Sequence, residues 1–247
     1  MITTRNSGLV MKMISFAAAT VSILVATPAC ATPGLGEEVY AATIERETEI
    51  EARYGQLAGR ADDGTGALVV EASHGFSTKF RAALLAEFER EPDGGRHASA
   101  FAVEAIHTLG RFGGIDTAVY GEYQVARHGP GKIETKLLLQ KHAGRFDTRL
   151  NLIAERQMIA GAPVTFGYAA SADVVAIGDF RLGAAAFGDL SGDEGGHHFA
   201  GPVVKTEIEH VGPGELELET GYLFALGSAR DSARGQFRLL AAYAFPF

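Results

Sequence analysis

The chain has 247 residues, enough for one domain of barrel size or a large sandwich. Thirty acidic residues against 22 basic ones give a formal charge of −8, and with no basic cluster a nucleic-acid partner is excluded. Apolar residues make up 47% of the chain, yet beyond the first thirty positions no run approaches the roughly eighteen uncharged apolar residues that a membrane-spanning helix needs.

Met1 to Lys12 is a short polar start carrying Arg5 and Lys12, followed by an uncharged stretch from Met13 to Ala26 that is too short to span a bilayer as a helix. Ala29-Cys30-Ala31 offers small residues where a signal peptidase reads, so residues 1–31 are expected to be a cleaved signal peptide and 32–247 the mature domain. Cleavage after Ala31 removes Cys30, leaving no thiol or disulfide chemistry, and moves the formal charge to −10 because Arg5 and Lys12 leave with it.

From there on the chain alternates with a period of two, punctuated by Gly, Pro and Asp clusters roughly every ten to fifteen residues. The first run sets Thr48, Ile50, Ala52 and Tyr54 against Glu47, Glu49, Glu51 and Arg53. The second, Ala67 to Phe76, aligns Leu68, Val70, Ala72 and Phe76. The third opposes Phe80, Ala82, Leu84, Ala86 and Phe88 to Lys79, Arg81, Glu87 and Glu89. The fourth, Ala98 to Leu109, has a blurred phase that leaves the sides of Glu104 and His107 open.

The fifth run covers Ile115 to Arg127, and the sixth sets Ile133, Thr135, Leu137 and Leu139 against Lys132, Glu134, Lys136 and Gln140. The seventh is the clearest: Phe146, Thr148, Leu150, Leu152 and Ala154 oppose Arg145, Asp147, Arg149, Asn151 and Glu155. An eighth is expected over Val164 to Ala172 and a ninth over Asp179 to Leu190. The tenth sets Val204, Thr206 and Ile208 against Lys205, Glu207 and Glu209, and the eleventh sets Leu216, Leu218, Thr220, Tyr222 and Phe224 against Glu215, Glu217 and Glu219. The last aligns Phe237, Leu239, Ala241, Tyr243, Phe245 and Phe247 on one face, giving about twelve strands.

Connections alternate between long polar ones, such as Ala58 to Gly66, Arg90 to Arg96, Asp189 to Pro202 and Leu226 to Gly235, and tight ones, such as Gly75 to Thr78 and Ala143-Gly144. The stretch from Val174 to Gly178 is long for its place in this alternation. A soluble sandwich also alternates, its apolar faces meeting in one core. Loop asymmetry and the export leader favour instead a closed sheet with lipid outside and charges inside.

A chain closing on an aromatic strand that ends at Phe247 resembles the single-chain outer-membrane barrels of Gram-negative bacteria. Gly201-Pro202, Lys205-Thr-Glu207, Gly221-Tyr-Leu-Phe224 and the final Phe-x-Phe are similar to uncharacterised barrels allied to the transporter and phenol-degradation channel group. The resemblance implies an all-β, closed, antiparallel up-and-down barrel of about twelve strands in the bacterial outer membrane. It implies lipid around the wall, insertion machinery that reads the Phe247 strand, and passive passage of small solutes.

The inward rows then make Glu47, Glu49, Glu51, Arg53, Lys79, Arg81, Glu87, Arg145, Arg149, Glu155, Lys205, Glu207, Glu217 and Glu219 candidates for the lumen lining. Such side chains either hydrate a selective path or pair across strands and close it. The alternative function is accordingly a closed structural or surface-interaction barrel. Ser73-His74 and His97-Ala-Ser99 lack a third member of a hydrolase triad, so no catalytic residue and no enzymatic activity are expected. Asp193, Glu194, His197 and His198 are read as a solvated loop cluster, and no metal or cofactor is expected.

Overall fold

A computed structural model describes residues 34–191 and 196–246, with no description of the Pro246 side chain. The expected leader, Asp193 and Glu194, and the terminal Phe247 lie outside the described residues.

Twelve strands close into one antiparallel ring: β1 Glu47–Ala58, β2 Gly66–Ser77, β3 Phe80–Arg90, β4 Arg96–Phe112, β5 Ile115–Ala126, β6 Lys132–Ala143, β7 Phe146–Gln157, β8 Thr165–Ile177, β9 Phe180–Asp189, β10 His197–Val211, β11 Gly214–Gly227 and β12 Gly235–Pro246. Each strand pairs with its sequence neighbours, and β1 pairs with β12 from Glu47↔Pro246 to Ala58↔Gly235. That closing ladder removes the unpaired edge and rules out the two-layer sandwich. No helix among the described residues is long and apolar enough to cross a membrane.

The connections sort by length. At one rim the turns are Thr78-Lys79, Gly113-Gly114, Gly144-Arg145, Gly178-Asp179 and Gly212-Pro213, two residues each. Gly113 and Gly114 both take positive φ, 58° and 84°, as a type I′ hairpin turn requires. The other rim carries connections of five to seven residues, one of them holding the short helix α1, Ala229–Ser232. Short turns on the periplasmic side and longer loops outside are the outer-membrane arrangement.

Large apolar side chains cover the outer wall: Ile50, Leu84, Phe101, Val103, Val119, Leu152, Leu182 and Leu239 are all exposed. A belt of this extent is unstable against water and matches hydrocarbon, so the barrel is a transmembrane one of the outer-membrane type. Phe76, Phe80, Phe112, Phe146 and Phe180 flank the short turns, while Tyr123, Phe166, Phe224 and Phe237 sit towards the long loops. These two aromatic girdles mark the interfaces without any tryptophan.

Several boundaries differ from the sequence reading. β8 runs on to Ile177, so the Val174 to Gly178 connection is a two-residue turn; Val174-Val175 masks the alternation there, while Asp173 holds the inward phase by pairing with Arg181. β10 begins at His197, so Gly201 and Pro202 belong to a strand rather than to a loop. β4 carries register shifts between Glu87 and Phe88 on its β3 side and between Thr108 and Gly110 on its β5 side. Each bulge shifts the two-residue period, which explains the blurred phase. Glu104 points inward and is buried, while His107 points outward.

Candidate functional site

The lumen is not a simple ionic tube. Residues 34–46 form no strand and run down the interior, from Gly34 beside Phe187 near the long-loop rim to Glu45 beside Gly75 near the short-turn rim. A Cβ at Gly75 would lie 2.0 Å from the Glu45 carbonyl oxygen, so only glycine lets the segment leave the lumen along β2.

Polar side chains from five strands hold this segment. From β12, Arg238 donates to the carbonyls of Gly34 and Glu37, with its guanidinium 4.1 Å from the Phe187 ring. From β6, Lys136 pairs with Glu37, and Gln140 accepts the Ala42 N–H at 3.0 Å. From β7, Asn151 copies a strand pairing with its amide: Oδ1 accepts the Tyr40 N–H at 2.7 Å and Nδ2 donates to the Tyr40 carbonyl at 3.0 Å. Arg149, also on β7, donates to the Val39 carbonyl at 3.3 Å. From β4, Thr108 donates to the Ala42 carbonyl at 3.0 Å and Glu104 accepts the Tyr40 hydroxyl at 2.9 Å. The Tyr40 and Tyr120 rings lie 4.9 Å apart, and Lys136 Nζ sits 4.6 Å from both centroids.

Arg53 on β1 organises the densest charge cluster. Its Nη1 lies 2.6 Å from Glu38, 2.8 Å from Glu51 and 3.0 Å from Glu71, and it donates to the Tyr40 hydroxyl at 3.2 Å. The three carboxylates stand where metal ligands would stand, within 4.8 Å of one another, but the guanidinium fills the position between them. Arg81 extends the network to Glu49 at 2.9 Å and Glu71 at 2.6 Å.

Above Tyr40 the interior is apolar on the β1 and β8–β11 side, which corrects the expectation of a wholly ionic lumen, while the β3–β7 side keeps charged groups such as Lys132, paired with Glu134 and Glu155. Leu57, Phe187, Phe199, Val203 and Leu223 pack against Val39, and Ala229 and Ala233 of the β11–β12 connection join the same cluster. Their outward neighbours are apolar as well, so these stretches read as continuous runs and conceal the inward side chains. Beside the lower part of the segment, from Ala41 to Glu45, lies an axial cavity of about 580 Å³ that extends to the short-turn rim. Its described lining holds thirteen carboxylates and five cationic side chains, Arg81, Arg149, Arg181, Lys205 and Arg238.

Of the fourteen candidates, Glu47, Glu49, Glu51, Arg81, Arg149, Lys205, Glu207, Glu217 and Glu219 border this cavity. Arg53 is buried in the carboxylate cluster. Glu87 accepts from Gln124 at 2.5 Å, and Glu155 pairs with Lys132 at 3.4 Å. Lys79 and Arg145 do not line the lumen. Both occupy exposed two-residue turns, where inward and outward lose meaning, and Arg145 donates to the carbonyls of Val175 and Ala176. His198, half-buried at the start of β10, stacks on Tyr168 with rings 5.8 Å apart.

Glu71, Glu104, Asn151, Gln140 and the whole of residues 34–46 were missing from the candidate set, although they form the centre of the site. Asn151 carried a usable signal as the one asparagine beyond the expected leader, set among charged residues in a lumen-facing row.

No family model matches the chain, and no curated protein matches it in sequence. Solved structures do match in fold. The COG4313 outer membrane channel from Pseudomonas putida F1 aligns with a TM-score of 0.57 at 10% identity, covering 87% of this chain and 99% of that one. The KdgM porin in complex with disordered oligogalacturonate gives 0.54 at 11% identity, over 81% of this chain and 99% of that one. The NanC porin gives 0.54 at 10%, over 80% and 100%. The fold is that of outer-membrane porins and channels.

Proposed function

We propose that this barrel is a passive outer-membrane channel for small solutes that favours cations over anions. The observation carrying the proposal is the axial cavity, whose thirteen carboxylates outnumber its five cationic side chains and whose walls are transmembrane strands. Charged walls of one sign hydrate a path and select permeants by their field. A fold shared with porins and channels supports this reading. The polyanionic ligand of the KdgM complex is not carried over, because the lining here is itself negative and would repel it.

Lys205, Arg181, Arg149 and Arg81 each hold a carboxylate of the wall. Among the described residues no basic side chain stands within ion-pair distance of Glu47, Glu207, Glu215 or Glu217, which leaves these four to set the field. In planar bilayers under a KCl gradient, the protein is expected to conduct in discrete steps with a cation-selective reversal potential. Changing Glu47, Glu207 and Glu215 to lysine is expected to move that potential to the anion side.

A second reading, a closed structural barrel, is favoured by the apolar cluster around Phe187, Phe199 and Leu223. A well-inserted protein that stays silent, and remains silent once residues 35–44 are deleted, would establish it in place of the channel.

A further inference from the structure

We propose that residues 34–46 are a tethered plug, the releasable occupant of an extended-peptide site built into the lumen wall. This rests on the channel reading, because a plug has meaning only where there is a path to close.

Three observations carry it. First, the segment is inside the barrel but outside the sheet: none of its residues joins the strand ladder, and its anchors are side chains reaching from the wall. Withdrawing it therefore breaks no strand pairing and leaves the closed ring intact. Second, the wall recognises the main chain of the segment as well as the side chains of Glu37, Glu38 and Tyr40. Asn151 pairs with both backbone groups of Tyr40, while Gln140, Arg149, Arg238 and Thr108 take further N–H and carbonyl groups at successive depths. Third, the site offers more than the resting segment uses. Gln236 is fully buried beside Gly34, yet among the described residues neither end of its amide has a hydrogen-bond partner. Buried amides are normally satisfied, so the unused one leaves a donor and an acceptor for the chain to meet in a second register.

Two adjacent residues at the centre of the segment, Val39 and Tyr40, mark where it closes the path. Val39 completes the apolar cluster with Leu57, Phe187 and Leu223, while Tyr40 and its neighbours cap the polar cavity beneath. Removing the segment joins the two compartments. It also strips Glu37 from Lys136 and Glu38 from Arg53, exposing two cationic groups that hold the acidic plug in place by charge.

The test uses the full chain with residues 35–44 deleted, its folding verified by heat-modifiability on gels and by cooperative unfolding. Conductance is expected to rise several-fold over the parent. A synthetic peptide of residues 34–46 added to the deletion variant is expected to restore blockade, whereas a scrambled peptide of the same composition leaves it open. Folded deletion protein that conducts no more than the parent overturns the plug while leaving the channel standing; silence of both overturns the channel reading itself. Should the deletion prevent folding, the pair Ala42→Cys with Thr108→Cys decides. Oxidation is expected to abolish openings that reduction restores, and equal conductance in both states overturns the proposal.

Discussion

Replacing Arg53 with methionine is expected to destabilise the folded barrel by about 3–5 kcal/mol, the usual cost of removing one partner from a buried charge network. The residue is only 4% exposed, and Glu38, Glu51 and Glu71 all lie within 3.0 Å of its Nη1. Without it, two buried carboxylates, Glu51 and Glu71, and the partly buried Glu38 remain within 4.8 Å of one another, and only Arg81, on the Glu71 and Glu49 side, offsets them. Like charges so close in a medium poorer than water repel strongly. Urea unfolding of the barrel in lipid vesicles measures the loss. Adding Glu71→Gln to the methionine variant is expected to recover part of it, because one repelling charge disappears with the cation. A loss below about 1 kcal/mol, typical of a solvent-exposed pair, would mean that water reaches the cluster freely.

Leu84→Arg is expected to cost about 2–4 kcal/mol in a bilayer, the range for a basic residue on the lipid face near the midplane. Leu84 is 65% exposed at the middle of β3, facing outward between Ala72 and Val103 on the adjoining strands. In water such a residue would tolerate arginine with little change. Phe88→Arg, on the same face of the same strand but close to the loop rim, supplies the control and is expected to cost far less because the interface hydrates it. Equal tolerance at both positions in vesicles would remove the hydrocarbon belt from the account.

The wall of the barrel was legible in the sequence because each strand separates two solvents. In β7, Thr148, Leu150 and Leu152 meet lipid while Asp147, Arg149 and Asn151 meet the interior, and that contrast appears directly as a period of two. Legibility fails where the contrast disappears. Phe187 and Leu223 point inward but pack against Val39 rather than water, so both faces of β9 and β11 are apolar near the long-loop rim. It fails again in β4, where two bulges shift the phase. Lys79 and Arg145 read as inward in the sequence because the alternation continues one residue beyond the strand into the turn.

The centre of the site was hidden for a different reason. Residues 34–46 have no periodicity of their own, since their conformation is imposed by distant side chains such as Asn151, Gln140 and Arg238. Glu37 and Glu38 look like an ordinary acidic pair before the first strand. Only closure of the ring brings Lys136 and Arg53 to them, and no local pattern encodes a contact separated by about one hundred positions in one case and fifteen in the other.

The most direct test of the partition between lipid face and packed interior uses the absence of tryptophan from this chain. Single-tryptophan variants Phe101→Trp, on the outer wall, and Phe187→Trp, against the plug, are folded into vesicles containing lipids brominated along their acyl chains. Fluorescence at position 101 is predicted to be strongly quenched and that at position 187 to be nearly unaffected. Equal quenching at the two positions, or quenching at 187 alone, would contradict the account.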